Sequence, residues 1–157
     1  MRYIISLALT TLPLAAMAEV PQVVTDIPPV QALVAQVMGD LGSPVLLLEK
    51  GADEHDFQLR PSQMRAVADA NLVVWIGPEL TPWLDRAMTA NSGTSLALLD
   101  AAGTQTRAFD PAAAAAEAEE EAEMGDEAAG HSHDHDGTDP HAWMEPQNAI
   151  LWAGLIA

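Results

Sequence analysis

The chain has 157 residues, no cysteine and a formal net charge of −17 at pH 7. The length suits one domain, and the lack of cysteine excludes disulfides and thiolate metal sites. The scarcity of Lys and Arg excludes a nucleic-acid partner, because neutralising phosphates requires clustered cations.

The first 18 residues, MRYIISLALTTLPLAAMA, have the three parts of a secretory signal peptide. Arg2 gives a cationic start, an apolar run follows, and Ala16-Met17-Ala18 forms an A-x-A cleavage site. An N-terminal membrane anchor is the alternative, but the run is short for a bilayer span and contains Pro13. We therefore expect cleavage after Ala18 and an exported chain that is not embedded in the membrane.

Residues 19–103 alternate between short apolar strands and amphipathic helices. The predicted strands are 20–27, 44–49, 71–77 and 94–100, and the predicted helices begin near Pro28, Pro61 and Pro78. The second strand is almost entirely apolar, which is typical of strands buried within parallel sheets. The order βαβαβαβ predicts an α/β lobe with a four-stranded parallel sheet and helices on both faces.

Apolar side chains of this lobe follow helical spacing. The 3.6-residue period places Met64, Val67 and Ala68 on one face of the second helix. Trp75 and Trp83 are expected to be core residues rather than contacts to a cofactor.

The periodicity is lost over residues 104–138. Residues 110–139 hold eleven of the 23 acidic residues and no Lys or Arg, and most of the apolar residues there are alanine. Such a segment buries too little apolar surface to offset the entropy of ordering it. We predict a disordered, acidic, His-rich loop, with a transient helix over 112–124 as the alternative.

Residues 139–157 are predicted to form a loop followed by a helix that begins at Pro146. The predicted apolar stripe of this helix consists of Ile150, Leu151, Leu155 and Ile156.

Two histidines outside any helix are candidate metal ligands. Imidazole with carboxylate favours Zn²⁺, with Mn²⁺, Fe²⁺, Cu²⁺ and Ni²⁺ as competitors. His55 and His141 each follow a predicted strand before the next helix begins. Ligands of open parallel sheets bind beyond the carboxyl ends of the strands, so we expect both rings to share one ion there. Glu54 can join them only if the loop turns, as Gly51 permits; an ordinary hydrogen-bonded loop histidine is the alternative at each position.

Three further histidines form a flexible tract. His131, His133 and His135 alternate with Asp134 and Asp136. Nothing preorganises these side chains, so we expect weak binding of several ions, with a preference for Cu²⁺ or Ni²⁺ at least equal to that for Zn²⁺. Solvated low-complexity sequence without a metal is the alternative.

Four motifs carry a resemblance to a known family. They are TDIPPVQALVAQVMGD, GADEHDFQLRPSQ, ADANLVVWIGPELTPWL and DPHAWMEPQNA. Over about 20–103 and 139–157 the chain resembles the ZnuA-like group of cluster A-I substrate-binding proteins, the zinc-binding periplasmic components of ABC importers. His55 and His141 match the first and second histidine ligands of that family. Glu54 matches a carboxylate that completes the coordination, or holds a water, in some members, and zinc-preferring members carry a His- and acid-rich loop where 104–138 lies.

The resemblance implies one lobe of a two-lobe protein. Family members run to about twice this length, and the helix at Pro146 corresponds to the start of their long inter-lobe linker helix. Their third histidine ligand comes from a second lobe that has no counterpart in this sequence, so either the sequence is a fragment or the gene is broken or split. The implied function is high-affinity capture of Zn²⁺ as cargo in the periplasm and its delivery, by a monomer, to an ABC-type membrane permease.

Other functions remain open alternatives. A periplasmic metal buffer or chaperone would act mainly through the His-rich loop. A relative of the same fold would bind manganese or another metal, or act as an adhesin, although the adhesin would require a lipid-anchor cysteine. A zinc hydrolase using Glu54 to activate water is disfavoured, because the sequence contains no H-E-x-x-H, G-x-S-x-G or P-loop pattern. We expect no enzymatic activity.

Overall fold

A computed structural model of the chain describes residues 19–108 and 137–157. The predicted signal peptide and most of the predicted loop, residues 109–136 with His131, His133 and His135, lie outside the described residues. The strands are β1 (Val23–Thr25), β2 (Val45–Leu46), β3 (Leu72–Trp75) and β4 (Thr94–Ala97), and the helices are α1 (Pro28–Met38), α2 (Pro61–Asp69), α3 (Pro82–Met88) and α4 (Pro146–Ile156). Single 3₁₀ turns span Gly39–Leu41 and Ala142–Met144.

The four strands form one parallel sheet in the order β2-β1-β3-β4. The chain runs from β1 outward to β2 and then crosses back to β3. Because crossovers between parallel strands are right-handed, α1 covers one face of the sheet and α2 and α3 cover the other. Accordingly, α1 packs against α4, and α2 packs against α3. The predicted α/β lobe, with a four-stranded parallel sheet and helices on both faces, is confirmed.

The strands are shorter than predicted. The second strand lies within the predicted residues 44–49, but β2 has only two residues and lies at the edge of the sheet, so its predicted length and its predicted burial within the sheet were wrong. Val45 is 47% exposed, whereas Leu47 and Leu48, just beyond the strand, are buried. The apolar run is therefore buried by the packing of the loop that follows β2.

The predicted apolar faces of two helices are only partly buried. Met64 is 53% exposed, and only Val67 is fully buried in α2. In α4, Ile150 is 68% exposed and Leu155 is also exposed. The buried side chains of α4 are Asn148 and Trp152, one turn apart on the same face.

The core contains both tryptophans that the sequence placed there. Trp75 and Trp83 are 4% and 5% exposed, which confirms the prediction. They pack with the apolar residues of β1 and β3 and with buried side chains of the helices. Within residues 19–108 and 137–157, no helix has the length and apolarity needed to span a bilayer.

Asp26, a buried carboxylate, joins the two central strands. It follows β1, and its Oδ1 accepts a hydrogen bond from the backbone N–H of Ile27 at 2.8 Å. Its Oδ2 accepts from the backbone N–H of Ile76 at 2.8 Å and from Thr81 Oγ1 at 3.4 Å. Burial raises the pKa of Asp26 to about 6, although these hydrogen bonds act to lower it. Asp26 therefore connects β1, β3 and the start of α3 at the point where the strand order reverses.

Candidate metal centre

The structure brings His55 and His141 together. His55 lies in the loop between β2 and α2, and His141 lies directly before the 3₁₀ turn that leads into α4. Their ring centroids are 5.6 Å apart, with the ring planes inclined at 71°. Two imidazoles 86 positions apart in the sequence therefore meet at the carboxyl edge of the sheet, where the strand order led us to expect them.

Glu54 completes a group of three possible ligands. Glu54, His55 and His141 each offer one ligand atom, and these atoms all lie within 4.8 Å of one another. All three residues are half-buried. Two imidazole nitrogens and one carboxylate oxygen at this spacing suit a divalent transition ion such as Zn²⁺, and leave a fourth tetrahedral position for water or another ligand.

A turn directs Glu54 and His55 to the same side. Gly51 has a φ of 81°, a value that favours glycine, and the backbone N–H of Ala52 donates to the carbonyl of Glu49 at 3.0 Å. Asp53 Oδ1 then accepts the backbone N–H of His55 at 2.8 Å. The turn near Gly51 that the sequence required is present.

Trp83 supports the loop from the core side. Its indole N–H donates to the backbone carbonyl of Glu54 at 2.8 Å. Phe57, three residues after Glu54, packs edge to face on the Trp83 ring with centroids 5.2 Å apart. Trp83, a buried residue of α3, thus holds the loop that carries Glu54 and His55 in position above the core.

The ring of His141 has two neighbours besides His55. Asp139 Oδ1 accepts the backbone N–H of His141 at 2.9 Å and lies 2.7 Å from Nδ1 of its ring. Partial burial acts to raise the pKa of Asp139, but the hydrogen bonds and charge of His141 outweigh it and lower the pKa below its usual value. The Trp143 ring lies 5.0 Å from the His141 ring, so Trp143 packs beside the His141 loop.

Asn148 of α4 holds the backbone around His141. Its side-chain Oδ1 accepts from the backbone N–H of Gln105 at 2.7 Å, and Nδ2 donates to the carbonyls of Gln105 at 2.8 Å and Ala142 at 2.9 Å. Asn148 is 1% exposed; its contact with Ala142 is buried, and its two contacts with Gln105 are partly buried. One amide therefore joins α4, the segment after β4 and the turn after His141.

The two ends of the predicted disordered loop are paired with each other. Ala108 and Thr138 form an isolated antiparallel bridge, and the backbone N–H of Asp139 donates to the carbonyl of Arg107 at 2.9 Å. We call residues 104–108 and 137–139 the stem. Hydrogen-bonded structure therefore extends into both ends of the segment 104–138, which the sequence had assigned to disorder. The described part of that segment lies beside His141 at the carboxyl edge of the sheet.

Sequence reasoning named the three ligand candidates but not the buried polar residues of the lobe or the contact of Asp139 with His141. Asp26, Asn148 and the role of Asp139 were not predicted. A recurring D-x-H pattern, at 53–55 and 139–141, was a usable sign of Asp139. Asn148 precedes Trp152 by one helical turn, and that spacing could have marked it as inward-facing.

Comparison with known proteins identifies the family of the chain. Residues 23–157 match the family described as ZnuA, zinc-uptake complex component A periplasmic. The chain is 50% identical to the high-affinity zinc uptake system protein ZnuA of Paracoccus denitrificans, over 98% of this chain and 51% of that protein. It thus spans about half the length of that relative.

Two solved structures share the fold. Zn(II)-bound AdcA from Streptococcus pneumoniae superposes with a TM-score of 0.60 at 19% identity, over 87% of this chain and 24% of that one. A Mn-bound periplasmic metal binding protein from Candidatus Liberibacter asiaticus gives 0.59 at 22% identity, over 86% and 43%. The motifs, the fold and the family match over residues 23–157 lead to one conclusion: the chain belongs to the ZnuA family of periplasmic zinc-uptake components.

Proposed function

We propose that this chain captures Zn²⁺ in the periplasm through Glu54, His55 and His141, and passes the ion to an ABC-type membrane permease. The observation that carries the proposal is the convergence of three ligand atoms within 4.8 Å at the carboxyl edge of the sheet. Water or a residue outside the described ranges would complete the coordination. Family membership supports the transport role.

Zinc is the cargo that this ligand set favours. Two of the three ligand atoms are imidazole nitrogens, which suit zinc, whereas manganese prefers oxygen ligands. Manganese remains the second candidate, because a Mn-bound protein shares the fold.

Capture suits the site better than catalysis does. A zinc hydrolase needs a general base beside its metal-bound water that does not itself bind the metal. Here Glu54 is itself within ligand distance, and Asp139 accepts the backbone N–H of His141 and lies 2.7 Å from Nδ1 of its ring. We therefore assign these carboxylates to binding.

Zinc titration of ligand variants tests the proposal. Structural zinc sites bind with roughly 10–16 kcal/mol, or about 2.5–4 kcal/mol for each of four ligands, so losing one imidazole should weaken zinc binding by about 70-fold to 900-fold. We expect this loss for His55→Ala and for His141→Ala, measured by competition with a chromophoric chelator, and a smaller loss for Glu54→Gln. Asp40→Asn is the control, because Asp40 is exposed in the 3₁₀ turn after α1, near the amino ends of the strands and away from the ligand loops. Unchanged affinity in both histidine variants would contradict the site.

Deleting residues 112–136 separates the fixed site from the His tract. The deletion leaves the paired stem, Glu54, His55 and His141 in the chain, so we expect one tight zinc equivalent to remain and the weaker equivalents to disappear. Isothermal titration with Zn²⁺ and Cu²⁺ measures both classes. The metal-buffer alternative is correct if the deletion abolishes tight binding while His55→Ala leaves it intact.

A further inference from the structure

Both candidate histidines follow an aspartate by two positions. The sequences are Asp53-Glu54-His55 and Asp139-Pro140-His141. In each, the aspartate Oδ1 accepts the backbone N–H of the histidine, at 2.8 Å and 2.9 Å respectively. The two loops follow different strands on opposite edges of the sheet. The same contact thus recurs in both loops that carry a candidate histidine ligand.

At Asp139 the contact extends to the imidazole ring. The Oδ1 atom that accepts the backbone N–H lies 2.7 Å from His141 Nδ1. An ionised carboxylate can only accept hydrogen bonds, so Nδ1 must carry the proton. In the neutral ring, Nε2 then holds the lone pair that a metal requires.

We propose that Asp139 is a positioning residue that fixes the tautomer and the orientation of His141, so that Nε2 faces the ion shared with Glu54 and His55. This inference rests on the proposed function. Asp139 does not touch the ion; it acts through the ring. Its bond to the backbone N–H fixes the loop, and its bond to Nδ1 fixes the ring rotation.

The expected effects differ between two substitutions. Removing a carboxylate that orients a ligating histidine typically lowers metal affinity about 10–100-fold. We expect a loss of that size for Asp139→Ala. In Asp139→Asn the amide oxygen can still accept both N–H groups, so the tautomer should persist and the affinity should fall less. Asp40→Ala removes the same charge near the amino ends of the strands, away from the ligand loops, and controls for long-range electrostatics.

Two measurements test the inference. Nitrogen-15 spectra of the imidazoles in the metal-free chain at pH 8, with the His141 resonance assigned by its loss in His141→Ala, report the tautomer without zinc. We expect the Nδ1–H form in the unmodified chain and in Asp139→Asn, and a shift away from it in Asp139→Ala. Zinc competition is then measured for the chain, both variants and the Asp139→Ala/His141→Ala double variant. We expect Asp139→Ala to have no further effect once His141 is absent.

The outcomes separate this inference from the proposed function. An Nε2–H tautomer in the unmodified chain, or a tautomer unchanged by Asp139→Ala, would overturn the positioning role even if zinc binds tightly. An equal loss of affinity with and without His141 would also overturn it, because the carboxylate would then act only through its charge. If the tautomer responds as expected but His55→Ala and His141→Ala do not change zinc affinity, the proposed function fails and the control of the ring by Asp139 stands.

Discussion

Trp83→Ala should reduce both the stability of the lobe and its affinity for zinc. Trp83 is 5% exposed, and replacing a buried tryptophan with alanine typically costs about 3–5 kcal/mol of unfolding free energy. The substitution also removes the indole N–H that holds the Glu54 carbonyl and the ring on which Phe57 packs. The loop that carries Glu54 and His55 would lose its support from the core.

Trp83→Phe separates packing from the hydrogen bond. Phenylalanine retains most of the apolar contact but not the donor, so we expect a stability loss of about 1 kcal/mol and a zinc affinity between those of the unmodified chain and Trp83→Ala. Urea unfolding followed by circular dichroism measures stability, and chelator competition measures zinc affinity under conditions where each variant is folded. If Trp83→Phe binds zinc like the unmodified chain, the indole N–H does not position the ligand loop.

Asp26 should make the lobe less stable at neutral pH than in mild acid. Its pKa is about 6 in the folded chain and 3.8 in the reference state, so the folded chain binds more protons between these values. A folded pKa that is raised contributes stability below the unfolded value and loses it as the pH rises through the folded value. A shift of about two units corresponds to about 2–3 kcal/mol, which should be lost between pH 4 and pH 7.

Asp26→Asn isolates this contribution. The amide does not titrate, and its NH₂ group faces a backbone N–H, which adds a pH-independent cost of about 1–3 kcal/mol. The difference in unfolding free energy between the two chains should therefore change with pH, whereas the contributions of other groups, including Asp139 and the histidines, cancel in it. Urea unfolding of both chains at intervals from pH 4 to pH 7.5 measures the difference. A difference constant within about 0.5 kcal/mol would show that Asp26 does not titrate in this range.

The fold could be predicted because it depends on the alternation of strands and helices, which hydrophobic periodicity indicates along the chain. Alternating strands and helices imply a parallel sheet, and the handedness of crossovers fixes where the helices lie. The strand lengths could not be predicted in the same way. Apolar composition does not distinguish a residue buried by sheet pairing from one buried by a loop, as Val45 and Leu47 show.

The ligand candidates could be located because both histidines follow strands. Their supports could not, because a buried polar group is favourable only when a partner distant in the sequence satisfies it. Asp26 depends on Ile76 and Thr81, and Asn148 depends on Gln105. The same limit applies to α4: Asn148 faces inward because its amide is hydrogen-bonded to Gln105 and Ala142, while the more apolar Ile150 faces solvent.

The bridge between Ala108 and Thr138 makes this point of the chain a natural place to graft foreign sequence. Because the two ends already meet, the separation that any inserted segment must close does not depend on its length, and doubling the length costs only about 0.6 kcal/mol. A reporter domain or an affinity epitope joined there would leave Glu54, His55 and His141 in place and would lie a few residues from His141.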